Sequence, residues 1–462
     1  MVNQDIIIAK LIKQINILMA RVEELEKENQ LLREEIARLK KNSGNSSKSP
    51  SSDIVKPKST RGSDAPKRKQ GAQPGHKKNV RPEFAPQDID HTIEYELKGA
   101  DAEGLVPLEQ WHIVHQVTLP KKLYIVTEHR GRKYFDPKTG KIISSLPPEV
   151  TEGGLLGADI TSMTAYMKGA CHMSYSTIAG FFNDIFKLKV SRGFLCETVD
   201  KVSDALAQSH QQLARSVPNE PYLGIDETGH KDKGKKHWTW CFQTSGFTFF
   251  HIDKSRGSGV LFDILGNEFS GIIGCDYWGG YRKYSRLTDT FVQYCMAHLI
   301  REIKFLAQFP AKALKDWGNE LLDWLKKLFE TLHNAEKLTS AEFADNMQRI
   351  KAGFLTEIRR PPDHKLAKKI SRRFEGEAAE SYFRFLTEPD VEPTNNGSER
   401  EIRHTVIDRK ITQGTRGDCG MRWCERIWST IATCKKQKRD VFEFIHQSIL
   451  AHWNNRQLPS LL

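Results

Sequence analysis

A leucine recurs every seventh residue along the first forty positions. Leu11, Leu18, Leu25, Leu32 and Leu39 are each preceded, three positions earlier, by Ile8, Ile15, Val22, Asn29 and Ile36. A strict period of 3.5 with β-branched residues at a and leucine at d predicts a parallel two-stranded coiled coil. Asn29 is the one polar a position and is expected to fix register and dimer state at some cost in stability. A lone amphipathic helix packed on its own domain would show a period nearer 3.6. Residues 1–41 are therefore read as a dimerisation helix.

The next segment cannot bury enough apolar surface to fold by itself. Residues 42–85 are rich in Ser, Pro, Gly and Lys. Eleven Lys or Arg stand between Lys41 and Arg81, against Asp53 and Asp64. This reads as a basic linker that either touches phosphates, with Lys67, Arg68 and Lys69 as its densest run, or serves as a solvated tether. The whole chain carries a formal net charge of +12, which favours a polyanionic partner, most simply nucleic acid. No run approaches the ~20 apolar residues of a membrane span, and the charged N-terminus is not a signal peptide. The eight cysteines all lie at or beyond Cys171, with only Cys419 and Cys424 closely spaced. A disulfide framework is not expected, and a reducing cytoplasm is.

Residues 86–150 read as a strand-rich module. Asp136-Pro137-Lys138-Thr139-Gly140 has the outline of a zinc-ribbon knuckle without cysteine, so no zinc is assigned. Residues 151–218 read as two or three helices, capped at Ser174 or Ser176 and at Ser191. The break from Leu188 to Ser191 has a helix-turn-helix-like spacing, so residues 151–218 are read as a helical DNA-binding region, although many helical hairpins share that spacing.

From Pro221 the period changes to that of strands. "PYLGIDETG" is the first. "KHWTWCFQTSGFTFFHID" is a hairpin through Ser245-Gly246, "SGVLFDILG" a helix, and "SGIIGCDYWGGY" a buried strand. "FVQYCMAHLIREIKFLAQF" supplies a short strand and a long helix. Three antiparallel strands followed by βα units is the order of an RNase H-like α/β fold, here residues 219–440, with a helical insertion at about 308–390. Residues 441–462 form a C-terminal helix and tail. In an open α/β sheet, ligands bind at strand carboxyl ends where the strand order reverses. Asp226 is expected to end the first strand and Asp276 the fourth. Asp226 and Glu227 alternate faces, so only one of them enters a given site. Glu399, in the first turns of a helix after "PTNNGS", would bring a third carboxylate from the side. Three carboxylates can hold two divalent ions ~3.5–4 Å apart for phosphoryl transfer, and all-oxygen ligation suits Mg²⁺ or Mn²⁺.

These blocks resemble the bacterial transposases of the insertion-sequence-66 family. "LGIDETGHK", "GCDYWGGYRKY", "CMAHLIREIKF" and "NNGSEREIR" resemble the family's catalytic blocks. "NSGNSSKSPSSD" and "GAQPGH" resemble its linker. The resemblance implies a DDE transposase that cuts and joins transposon ends to a target duplex, with Asp226, Asp276 and Glu399 catalytic and accessory proteins of the same element as partners. Thr394 stands where the family often has Asp, and the ribbon cysteines are missing. Arg400, Arg403, Arg409 and Lys410 would grip phosphates or remain solvated. Trp278 and Tyr281 are placed to touch nucleic acid. Trp238 and Trp240 read as packing, and Asn395 and Asn396 as helix caps. Cys295 and His298 read as structural, with His298 alternatively at the DNA or the active site. The rival readings are a non-catalytic DNA-binding dimer acting as a repressor and a nuclease of the same fold without strand transfer. No P-loop or dinucleotide fingerprint is present.

Overall fold

The computed structural model describes residues 2–42, 84–97, 103–106, 108–109, 111–388 and 390–462. The basic linker, with Lys67, Arg68 and Lys69, lies outside them. Two compact units are distinguished, one of residues 58–128 and the other of residues 1–57 with 129–462.

Of the smaller unit, the described residues carry a 3₁₀ turn at Pro86–Asp88 and no strand. The strand-rich module expected at 86–150 is thus corrected to one short hairpin within the larger unit, β1 (Lys133–Asp136) and β2 (Lys141–Ser144). The apolar residues Ile113, Val117 and Ile125 are exposed. In the β1–β2 turn, the Asp136 carboxylate accepts from the Lys138 amide at 2.9 Å and the Thr139 hydroxyl at 2.7 Å.

The larger unit begins with α1 (Val2–Leu39), a single 38-residue helix. Leu11, Leu18, Leu25, Leu32 and Leu39 are all exposed in the single chain, and so is Asn29. Helices α2 (Pro148–Gly153), α3 (Ala158–Gly169), α4 (Tyr175–Phe181), α5 (Arg192–Ala205) and α6 (Ala207–Ser216) follow. Ser174 and Ser191 cap α4 and α5 by accepting from Thr177 and Phe194 amides, both at 3.1 Å.

The sheet is built from β3 (Tyr222–Asp232), β4 (Lys235–Gln243), β5 (Thr248–Asp253), β6 (Ile272–Cys275) and β7 (Phe291–Tyr294), in spatial order β5-β4-β3-β6-β7. The first three are antiparallel; β6 lies parallel to β3, and β7 to β6. Helix α7 (Gly259–Leu265) connects β5 to β6, and α8 (Gly279–Thr288) connects β6 to β7. After β7 come α9 (Met296–Ala307) and an inserted helical segment with α10 (Lys312–His333), α11 (Ser340–Ile358) and α12 (Lys365–Ser371). The chain closes with α13 (Asn396–Thr412), α14 (Asp418–Lys436) and α15 (Val441–Trp453).

An edge strand with unpaired amides invites aggregation, and here α14 covers it. The Thr248, Phe250 and Ile252 amides of β5 donate to Thr433 Oγ1, Ser429 Oγ and a Glu425 carboxylate oxygen at 3.1, 2.9 and 2.6 Å. The match is geometric. Two strand residues advance ~6.8 Å and four helical residues ~6.0 Å, so every fourth side chain of α14 meets every second amide of β5.

Candidate active site

Asp226 and Asp276 are brought together by the β3–β6 pairing. Its last rung is Gly224 with Gly274, and each acid lies two residues beyond its glycine. Asp226 does not end its strand, as the sequence suggested. β3 runs on to Asp232 because β4 stays paired with it through Lys235. The site therefore lies where β6 stops and the β3–β4 ribbon continues alone.

Glu399 arrives from α13, whose start is tied to β3. Asn395 stands at the N-cap position of α13, but its side chain is turned to β3 rather than to the helix amides. Its Nδ2 donates to the Ile225 carbonyl at 2.7 Å, next to Asp226, and its amide donates to Cys295 Sγ at 3.1 Å. Neither Asn395 nor Asn396 makes a side-chain capping bond to α13. The approach is close enough to need glycine at Gly224, where a Cβ would stand 2.6 Å from Ser398 Oγ and 2.8 Å from Gln243 Oε1. Cys295 is accordingly a buried acceptor in this tie.

Burial first, and then the charges of Glu227, Asp276 and Glu399, hold the Asp226 carboxyl well above the usual range. The Glu227 amide, 2.9 Å from Asp226 Oδ1, opposes this in part. Asp276 is pushed up to about 6 by burial and by Glu227. The Trp278 amide, donating to its Oδ1 at 2.9 Å, and Arg256 pull the other way.

The remaining two acids have cationic partners. Glu399 accepts from Arg301 Nη2 at 3.2 and 3.3 Å on its two oxygens, and His298 Nε2 lies 3.7 Å from it. Burial, then Arg301, lowers the His298 pKa, with Glu399 opposing. His298 thus stands at the acids. Its spacing of one helical turn from Arg301 was the available signal. Glu227 faces the other side of β3, as strand alternation requires. It is almost completely buried, accepts from Arg256 Nε at 2.7 Å and Nη2 at 2.6 Å, and accepts from the Tyr281 hydroxyl. Sequence reasoning passed over Arg256, whose partner lies 29 residues away. Among the described residues no three His, Cys, Asp or Glu side chains are gathered so as to hold a metal ion outright.

The expected nucleic-acid contact at Tyr281 is corrected. Its ring is 1% exposed and its hydroxyl is spent on Glu227. Trp278 is half-buried, with the Arg256 guanidinium 4.7 Å over its ring. Trp240 is buried, as read, while Trp238 is half-buried between Arg256 and Lys236, at 4.9 and 4.8 Å. On α13, Arg400, Arg403 and Lys410 are exposed, and half-buried Arg409 donates to Thr228 Oγ1 at 3.2 Å.

Comparison with known proteins adds three findings. A family of unknown function, DUF6444, matches residues 3–82. An uncharacterized protein, y4qI, of Sinorhizobium fredii is 21% identical over 406 residues, spanning 81% of this chain and 75% of that protein. A family model described as "Transposase IS66 family" matches residues 153–422, which include every acid of the site. With more than half of its length so matched, the chain belongs to the IS66 transposase family.

Proposed function

We propose that the protein is a DNA transposase that cleaves insertion-sequence ends and transfers them to a target duplex, using an RNase H-like DDE core. Asp226, Asp276 and Glu399 would hold two Mg²⁺ or Mn²⁺ ions, which when bound supply the positive charge that activates a water or terminal 3′-hydroxyl and stabilises the leaving oxygen. The observation that supports this reading is the gathering of carboxylates from β3, the end of β6 and α13 by the β3–β6 pairing and the Asn395 tie, with burial and then the charges of Glu227, Asp276 and Glu399 raising the Asp226 carboxyl. The all-oxygen chemistry of these donors suits a divalent cation of this kind, while among the described residues they do not form a ready-made site.

The chain's own residues have assignable tasks. Arg301 orients Glu399, with His298 beside it at 3.7 Å. Arg256 and Tyr281 hold Glu227 beside Asp276, with its carboxylate occupied by their hydrogen bonds. Asn395 fixes the distance between Glu399's helix and Asp226's strand. Exposed Arg400, Arg403 and Lys410 would contact DNA phosphates along α13. The exposed leucine seam of α1 would pair two chains, with Asn29 setting the register. The basic linker would add phosphate contacts in a protein working at the bacterial nucleoid, with accessory proteins of the same element as further partners.

The test is a strand-transfer assay with purified protein, Mn²⁺ and labelled duplexes carrying the inverted repeats that flank the gene, with Asp276→Asn alongside. Joined product from the wild type alone supports the reading. Cleavage without joining points to a nuclease. Binding without cutting, identical in both proteins and repeated in cells that supply any accessory proteins, points to a repressor.

A further inference from the structure

The β3–β4 ribbon extends past the acids and ends in a two-residue turn, Lys233-Gly234, with φ of +48° and +78°. Positive φ at both positions is the geometry that favours Asn-Gly or Asp-Gly. A lysine at the first position carries a backbone cost of ~1 kcal/mol or more that asparagine would reduce. The register adds a second cost. Lys231 faces Lys236 directly across the ribbon, and like charges so placed repel. With Lys235 next to the turn, four exposed lysines crowd one hairpin tip. Two local penalties kept at one place suggest a function for the charge.

The tip is also rigid. Asp232, on the opposite face from Lys231, is buried and accepts from the Thr415 hydroxyl at 2.8 Å and the Gly417 amide at 2.6 Å. Backbone bonds also tie the tip to Thr415. The Lys233 amide donates to the Thr415 carbonyl at 3.0 Å, and the Thr415 amide to the Lys231 carbonyl at 2.9 Å. The one acid at the tip is thereby consumed in holding it. A track of alternating rings and cations leads back towards Asp276. Lys236 lies over Trp238, and Arg256 lies between Trp238 and Trp278, the last two residues from Asp276.

We propose that this hairpin tip is a fixed clamp on the backbone of duplex DNA, gripping phosphates about six nucleotides from the one that is cut. The spacing comes from the strand. Lys231, Lys236 and Trp238 share the face of β3–β4 that carries Glu227, beside Asp276. Glu227 to Lys233 is ~20 Å of extended chain, and phosphates recur about every 3.4 Å along one DNA strand. The clamp rests on the transposase reading, which supplies the cut.

The experiment measures affinity of the full chain for a terminal-repeat duplex across a salt series, with hydroxyl-radical footprinting of the same complex. Removing one lysine–phosphate pairing lowers the slope of log K against log salt by ~0.9. Lys233→Asn suits the left-handed turn, so it keeps or raises the melting midpoint while the slope falls by ~0.9. Adding Lys231→Gln and Lys236→Gln brings the fall to ~2.7, and protection disappears about six nucleotides from the cleavage position. An unchanged slope and footprint in the triple variant overturn the clamp, and the transposase reading stands if that variant still cuts and joins. Lysine-dependent binding by a wild type that never cuts keeps the surface but removes the catalytic reading. A wild type with no salt-sensitive affinity for duplex DNA overturns both.

Discussion

Replacing Asp276 by asparagine is expected to stabilise the ion-free protein. The carboxyl is displaced from an ordinary 3.8 to about 6 because it is buried and faces Glu227. A displacement of that size corresponds to about 3 kcal/mol between the two protonation states. Because the folded carboxyl holds its proton more tightly than the unfolded one, the unfolded chain binds fewer protons between pH ~4 and ~6, and stability falls as pH rises through that window. Below it both states are protonated and the cost is absent; above it the cost is complete. Asparagine has the same shape, keeps an oxygen for the Trp278 amide and carries no charge.

In EDTA at about pH 8, urea titration followed by tryptophan fluorescence should therefore show the variant more stable by about 2–3 kcal/mol, with the difference vanishing near pH ~4. Mg²⁺ should stabilise the wild type and leave the variant nearly unmoved, since a ligand that binds only the folded state raises its stability. A variant equally stable or weaker at the higher pH would refute the reasoning. So would a gain of the same size at both pH values, because repulsion between ionised acids cannot act once they are protonated.

Three further outcomes follow from particular contacts. Ser429→Ala leaves the buried Phe250 amide without its acceptor and should cost ~1–3 kcal/mol, read as faster hydrogen exchange at that amide than at Thr248. Asn395→Ala unties α13 from β3 and should cost a similar ~1–3 kcal/mol. It should lower cleavage more than DNA affinity, and equal losses of both would count against a positioning role. Leu18→Lys combined with Leu25→Lys should convert the chain to a monomer in sedimentation, and a wild type already monomeric would remove the reading of the seam.

The elements that sequence made legible are those whose pattern is local. The heptads announce α1, and the alternating apolar runs announce β3 through β7 in their correct order, because one buried face suffices to fix them. The end of β3 was misread because "DETGHKD" is polar and resembles a turn. What keeps it extended is nine rungs of pairing with β4 and the long-range hold of Thr415 and Gly417 on Asp232. The Asn395 side chain does not cap α13 for a related reason. A carbonyl 170 residues away offers its side chain a partner, and tertiary contact overrides local propensity. Tyr281 looked available because aromatic residues beside an acid are commonly exposed. Its burial depends on Glu227, which no local spacing connects to it.

Why a basic chain gathers these acids can be argued from which of them lack a partner. Four carboxylates meet around β3, and the protein compensates two. Arg256 answers Glu227 and Arg301 answers Glu399. Asp226 and Asp276 accept hydrogen bonds from backbone amides, with the Arg256 charge also acting on Asp276, and these are the two whose carboxyls burial and neighbouring charge push upward. Unmet negative charge is thus confined to the end of the β3–β6 pairing, where a cation gains most. Glu399 differs from both. Its tie to Arg301 is long, at 3.2 and 3.3 Å, and partly open to solvent, so it is weak enough to be shared or surrendered. In the proposed reading Asp226 and Asp276 would form the standing half of the site, and Glu399 would be the ligand whose engagement α13 controls.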